Sequence, residues 1–505
     1  MGKIKGAAFL ISGRVLQAMA QLVAVPIYID QLGKPAYGVC LFALIVGGYL
    51  SLLDLGFTIG SQKPIIEAFA AGQTERAWRI YRSQFSLVLL VAFFAFAVIT
   101  LVGVLIPSVY EGATAFSRVA LFACAGLYVG TNYLHNALGP ALLARERYAR
   151  LSTVGLTQSF LGIGLSIVFV LIWPTPLAWM AAQALGNVLN LILHVILIRL
   201  IDKISLVGFC FDREIAREVT RYGLRAYVAK VWGTLATGSD RFLLRVFAGT
   251  TQLTEYAVPA RVIEVAIQFI RPAVDTTLPD LTKAQMRSES EFARLTQRAS
   301  LFWLFVGCAL FVVPAGFSDP FFSLWLRANK PEPAALIFLF LSVYFALELY
   351  YSGLTATMLA KGQLHRMAPF SIWNAFGTVL LTYPAFLIAG LPGIAGMNAC
   401  IDLIQLVPIV LVVRRYGAFE LNVQVQLIRS ATLIALAFGC AGLGYWVCSS
   451  PLIIRFPWIG LIVGACASIL FSMFCIATHL MVLPSAVQNK LSGIPGLSRL
   501  FQPTD

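Results

Sequence analysis

Charged side chains embedded in long apolar runs are the residues of this 505-residue chain best able to do chemistry. An ionisable group at membrane depth is costly unless it faces water, protein or a partner, so each one present marks a functional or paired position. The first half carries few, Arg14 and Asp54 among them. The second half is richer, with Lys230, Asp240, Arg241, Arg245, Arg261, Glu264, Arg271, Asp275, Glu348 and Asp402. Taken together, the first, seventh and eighth runs hold more cations than carboxylates, which suits an anionic ligand. Arginine in particular meets phosphate oxygens with two parallel N–H donors. Arg14, Lys230, Arg261 and Arg271 are therefore candidates to line a route for an anionic head group. Asp54, Asp240, Glu264, Asp275 and Glu348 are candidate ion-coupling or structural acids. Arg261 and Glu264 stand three residues apart and can neutralise each other on one helix face. Asp240 and Arg241 are neighbours pointing about 100° apart on a helix, so their side chains are not expected to pair. Asp54 is expected to pair with a basic residue of a neighbouring helix. Glu348 stands alone in the run AALIFLFLSVYFALELYYSG, as a proton or cation site or as a hydrogen-bonded core acid. The nine cysteines are scattered singly with no Cys/His spacing suited to a metal, and no cofactor is expected.

The elements that hold these charges follow from composition. Hydrophobic residues make up 59% and charged residues 12% of the chain, about half the usual charge of a soluble protein. Mean hydropathy is +0.83. Apolar runs of about 20 residues recur from end to end, which predicts an all-α polytopic membrane protein. About fourteen spans are expected, near 7–29, 37–61, 83–106, 116–140, 150–172, 177–199, 223–248, 255–280, 298–317, 334–359, 367–389, 393–413, 427–448 and 457–481. Arg14 interrupts what would be the core of a signal peptide, so the first run reads as a retained span. The net charge of +14 sits mostly in the short breaks, which argues against nucleic acid as a partner. Alternate breaks hold nearly all the Lys and Arg, while the others hold only Lys34, Arg118, Arg327, Lys330 and Arg455. That asymmetry predicts cytoplasmic N- and C-termini.

The two halves repeat. Gly33 and Gly249 are separated by the same offset as LLARERYAR (142–150) and MLAKGQLHR (358–366). Arg199 pairs with Arg415 and Arg14 with Lys230 in this register. Six spans per unit place both copies in the same orientation, related by an axis along the membrane normal. The expected organisation is an N-lobe over 1–200, a cytoplasmic linker over 201–222, a C-lobe over 223–416, two extra spans over 417–482 and a cytoplasmic tail over 483–505.

The stretches YIDQLGKPAYGVCLFAL…LLDLGFTIGSQKPIIEAFA and GSDRFLLRVFAGTTQLTEYAVPARV resemble the first two spans and the seventh-to-eighth-span region of Wzx-type polysaccharide flippases. These belong to the MOP exporter superfamily and move O-antigen or exopolysaccharide repeat units. The resemblance covers nearly the whole length. It implies a MATE-like (MOP) fold of two six-helix lobes plus two C-terminal helices. It also implies export of an undecaprenyl-pyrophosphate-linked oligosaccharide across the bacterial inner membrane by alternating access. In that family cavity cations are thought to meet the pyrophosphate, and Arg14, Lys230, Arg261 and Arg271 are the positional candidates here. A polysaccharide polymerase or chain-length protein is an implied partner, with membrane lipid and an H⁺ or Na⁺ gradient. Two rivals share the fold: a peptidoglycan-precursor lipid flippase, and a MATE-like drug or cation antiporter, which the cationic surplus disfavours. A membrane enzyme is disfavoured because the longest non-cytoplasmic break (318–333) holds only Asp319 and Glu332 as acids. An ATP-driven pump is disfavoured because the sequence has no Walker motif.

Overall fold

A computed structural model describes residues 2–50, 52, 57–106, 110, 112–144, 148–202, 212–275 and 277–478. Every regular element among them is helical. The membrane interior offers no partner for free N–H and C=O groups, so a chain this apolar must satisfy its backbone within each segment.

The helices fall into two compact units, Met1–Thr254 and Glu255–Asp505. The first contains α1 (Gly2–Leu32), α2 (Lys34–Leu50), α3 (Phe57–Ala70), α4 (Thr74–Leu105), α5 (Ala115–Ala144), α6 (Tyr148–Ile172), α7 (Pro176–Asp202) and α8 (Arg213–Ala248). From Thr250 the chain continues as α9 (Thr250–Asp275), α10 (Thr277–Arg287), α11 (Glu289–Gly307), α12 (Val313–Ala315), α13 (Ser318–Leu326) and α14 (Ala334–Ala360). It closes with α15 (Ala368–Tyr416), α16 (Val423–Cys448), α17 (Pro451–Arg455) and α18 (Pro457–Ala477). Each of the fourteen apolar runs falls on one or two of these helices. Among the described residues, seven helices are individually long and apolar enough to cross a membrane.

Several helices outrun their apolar cores. α4 has 32 residues, about 48 Å at 1.5 Å per residue, against a hydrocarbon layer of about 30 Å. Its excess is the polar first turns carrying Arg76, Arg79 and Arg82. α8 likewise begins at Arg213, inside the stretch 201–222 that the sequence suggests as a linker. The division between units falls after α8 because this helix packs on α2. Phe242 meets Phe42 and Tyr49 at ring-centroid distances of 5.7 and 5.5 Å, and Tyr49 Oη donates to Ser239 Oγ.

The repeat is visible in the helix boundaries. α2 starts at Lys34 and α9 at Thr250, at the offset that separates Gly33 from Gly249. Gly33 and Gly249, which end α1 and α8, adopt φ of +78° and +95°. Only glycine takes this left-handed turn without a steric penalty from Cβ. Gly33→Ala and Gly249→Ala are each expected to cost about 1 kcal/mol. Thermal unfolding of the purified protein in detergent should show the loss for both, and an unchanged midpoint would contradict it.

Passes eleven and twelve form one element, α15, interrupted at Ala389 and Gly390 (φ +63°) just before Pro392. The last two passes lie outside the repeat and pack within the second unit around Phe317, which is buried. Gly444 of α16 and Gly464 of α18 press on its ring, and Gly316 lies against the Ala441 backbone of α16. Without a hydrophobic drive between helices in lipid, small residues that allow close backbone approach hold such contacts.

Candidate functional site

In the second unit the polar residues of α9 form one stripe. Arg261, Glu264, Gln268 and Arg271 recur at three- and four-residue steps, which keeps them on one face of the helix. Arg261 Nη1 donates to Glu264 Oε2 at 3.3 Å, the pairing expected from their spacing. Arg271 Nη2 donates to Glu348 Oε1 at 2.7 Å, joining α9 to the distant α14. Glu348, alone in its own apolar run, is therefore not alone in space. The Arg271 side chain is 66% exposed and that of Glu348 28%. A guanidinium has five N–H donors in a rigid fork, so this single contact leaves Arg271 with donors to offer elsewhere.

A second carboxylate stands behind this pair. Asp402 of α15 is buried, and its Oδ1 accepts from Asn374 Nδ2 at 2.8 Å. Its backbone carbonyl accepts from the Tyr351 hydroxyl of α14. Tyr351 lies one turn beyond Glu348, so the same face of α14 presents the acid and reaches Asp402. Tyr351 thereby ties Asp402 to the helix that carries Glu348. The cluster thus combines two carboxylates, one guanidinium, an amide and a phenol.

The first unit carries a polar cluster on the corresponding helices. Gln158 Nε2 of α6 donates to Asn132 Oδ1 of α5 and to Asn187 Oδ1 of α7, each at 3.0 Å. Further along the same helices, His135, Asn190 and His194 are buried together beside Thr157. In the register of the repeat Asn132 corresponds to Glu348, His135 to Tyr351 and Gln158 to Asn374. The first unit has amides and imidazoles where the second has acids and their partners. Sequence reading passed over His135, Asn190 and His194, because single polar residues on apolar helices look like ordinary packing; for His135, which corresponds to Tyr351, the register was the available signal.

The other candidates are distributed. Asp240 is buried on α8, and its Oδ1 accepts from the Arg241 backbone N–H at 2.8 Å, while the Arg245 guanidinium lies over the Phe42 ring. Asp54 lies outside the described residues. Arg14, Lys230 and Asp275 lie on α1, α8 and α9, but their side chains are also outside what is described. Among the described residues no group of His, Cys, Asp and Glu side chains could hold a metal ion.

The sequence profile of the polysaccharide biosynthesis protein family matches residues 4–285, more than half the chain. The chain belongs to the polysaccharide biosynthesis protein family. A Shigella flexneri protein assigned as an O-antigen transporter is 21% identical over 334 residues, covering 65% of this chain and 78% of that one. Among solved structures, the inward-closed lipid II flippase MurJ superposes with a TM-score of 0.70 at 10% identity, covering 93% of this chain and 99% of that chain. An inward-facing multidrug-resistance MATE transporter of the MOP superfamily superposes with a TM-score of 0.63 at 16% identity, covering 84% and 99%. The fold of this family member is that of the MOP superfamily. It is a multi-pass membrane protein, and the similar proteins of known fold are transporters or flippases.

Proposed function

We propose that the chain is a flippase that carries an undecaprenyl-pyrophosphate-linked oligosaccharide across the bacterial inner membrane by alternating access, with both termini in the cytoplasm. The observation that carries this reading is the α9 stripe, where the Arg261 and Arg271 side chains are 42% and 66% exposed. Two such forks about 15 Å apart along the helix suit an elongated anion such as a pyrophosphate followed by sugars. A cationic drug would instead call for acids and aromatic faces free of paired arginine. Arg14 and Lys230 are repeat-related cations on α1 and α8 of the first unit and enter this proposal as further candidates for meeting the anion. An H⁺ or Na⁺ gradient supplies the energy, and a polysaccharide polymerase or chain-length protein receives the product.

In a host lacking the endogenous flippase, Arg14→Ala, Lys230→Ala and Arg261→Ala at wild-type membrane levels are expected to reduce surface polysaccharide several-fold. Lipid-linked repeat units should accumulate on the cytoplasmic side. Wild-type export by all three would overturn the anion route. The peptidoglycan-precursor reading shares the lipid pyrophosphate and separates by cargo: rescue of a strain depleted of its lipid II flippase would favour it.

A further inference from the structure

The turn at Ala389 and Gly390 folds α15 back on itself, so its two ends come together. The arm from Ala368 to Gly390 is about 35 Å long and the arm from Leu391 to Tyr416 about 39 Å, at 1.5 Å per residue. Each exceeds a hydrocarbon layer of about 30 Å, which puts both ends at head-group level. There the 3₁₀ turn Leu364–Met367 brings Arg366 over the Tyr416 ring, its guanidinium carbon 4.5 Å from the centroid. The guanidinium carbon of Arg415 lies 5.4 Å from the same centroid. Arg366, Arg414 and Arg415 are all exposed.

Two guanidinium groups thus share one ring. Like charges brought together repel, and the ring offsets this only in part. Among the described residues no carboxylate pairs with Arg366, Arg414 or Arg415, and Glu420, exposed four residues past Tyr416, joins none of them. Lys361, five residues before Arg366, is different: it donates to both oxygens of Glu289, at 3.0 and 2.7 Å. An apolar track leads to the arginine cluster. Ile404, Val407 and Leu411 follow at three- and four-residue steps and Arg415 comes four residues later, so all four share one face of α15. The three apolar side chains are 65%, 46% and 49% exposed. In the register of the repeat Arg150 and Arg199 correspond to Arg366 and Arg415, but Leu200 stands where the second unit has Tyr416.

We infer that Arg366, Arg415 and Tyr416 bind the phosphate of an anionic phospholipid, whose acyl chain lies along Ile404, Val407 and Leu411. The planar forks of the two arginines match phosphate oxygens two at a time, and the shared ring keeps both near one point. A phosphate placed there supplies the negative charge that no carboxylate provides. The apolar track selects a lipid over a free phosphate, since only a lipid covers it. Basic clusters at the ends of membrane helices recognise acidic head groups in this way. The inference is independent of the cargo; the proposed orientation only sets the cytoplasmic leaflet as the source of the lipid.

The test uses the full chain in a neutral detergent, titrated with dioleoylphosphatidylglycerol, with bound lipid counted by mass spectrometry of the intact complex. Arg366→Gln/Arg415→Gln is expected to weaken the tightest-bound phosphatidylglycerol by about tenfold or more, as the loss of charged hydrogen bonds requires. Arg294→Gln/Arg298→Gln removes the same charge from exposed positions of α11 and should leave that binding unchanged. Tyr416→Leu, which copies the residue of the first unit, should weaken it about two- to fivefold. Undiminished binding by the Arg366→Gln/Arg415→Gln variant overturns the site. Equal loss in both double variants reduces the effect to net charge and overturns it as well. Glycerol phosphate should fail to displace the lipid; displacement at equal concentration would remove the apolar track from the site and defeat the lipid assignment. Tighter binding of undecaprenyl phosphate than of phosphatidylglycerol at the same residues would give the site to the carrier lipid and overturn the phospholipid reading. All variants are compared at matched unfolding midpoints in lipid-free detergent, which these exposed substitutions are expected to preserve.

Discussion

Arg271→Ala is expected to lower export of the lipid-linked oligosaccharide by about tenfold or more at matched membrane levels. A hydrogen bond to a charged group contributes about 1.5–3 kcal/mol, and 1.4 kcal/mol is a factor of ten. Arg271 engages Glu348 through one Nη2 at 2.7 Å and remains 66% exposed, which leaves it accessible to an anion. The same substitution strips Glu348 of its partner in a side chain only 28% exposed, and this alone is expected to reduce abundance. The double variant Arg271→Ala/Glu348→Gln separates the two effects. With no carboxylate left to leave unpaired, abundance should recover. Export should stay low if Arg271 touches cargo and recover if it only neutralises Glu348. Arg271→Lys should rescue partly, since lysine supplies charge without a planar fork. Wild-type export from both the single and the double variant, assayed as surface polysaccharide, would remove Arg271 from the transport route.

The other large effect concerns the last two passes. A methyl group built on Gly316 would lie 2.1 Å from the Ala441 carbonyl oxygen and 2.6 Å from its Cα, both backbone atoms of α16. Backbone cannot turn aside as a side chain can, so α16 must shift, and overpacking of this kind costs about 1–3 kcal/mol, sometimes more. Gly316→Ala is expected to lower the unfolding midpoint in detergent by several degrees and to reduce membrane levels. Gly439→Ala and Gly442→Ala on the same helix meet nothing within 4 Å and should be neutral or slightly stabilising. Equal behaviour of the three variants would show that the close contact of α16 is not what holds it.

The passes were legible because a helix in lipid must advertise itself as a long apolar run, and each of the fourteen runs met a helix. The ends were less legible. α4 and α8 continue as helices through Arg76–Arg82 and through 213–222, where hydropathy sees only polar residues. Helix formation outlasts the bilayer because the backbone bonds are the same in water. In the site, the Arg261–Glu264 pair could be read from a three-residue spacing. The Arg271–Glu348 pair could not, because its members lie far apart in the chain and on different helices.

Sequence alone determined the class of molecule, the order of the apolar runs along it, the duplicated register and the presence of arginines where an anion could use them. These are local or periodic properties, written in hydropathy, charge and spacing along one chain. Tertiary structure alone decided which charges are partnered: that Glu348 meets Arg271, that Asp402 is held by Asn374, and that His135 and His194, on different helices, share one buried asparagine. Pairing depends on which faces of different helices meet. In a membrane that choice is made by close packing of small residues and by polar groups finding one another, neither of which leaves a periodic trace in the sequence.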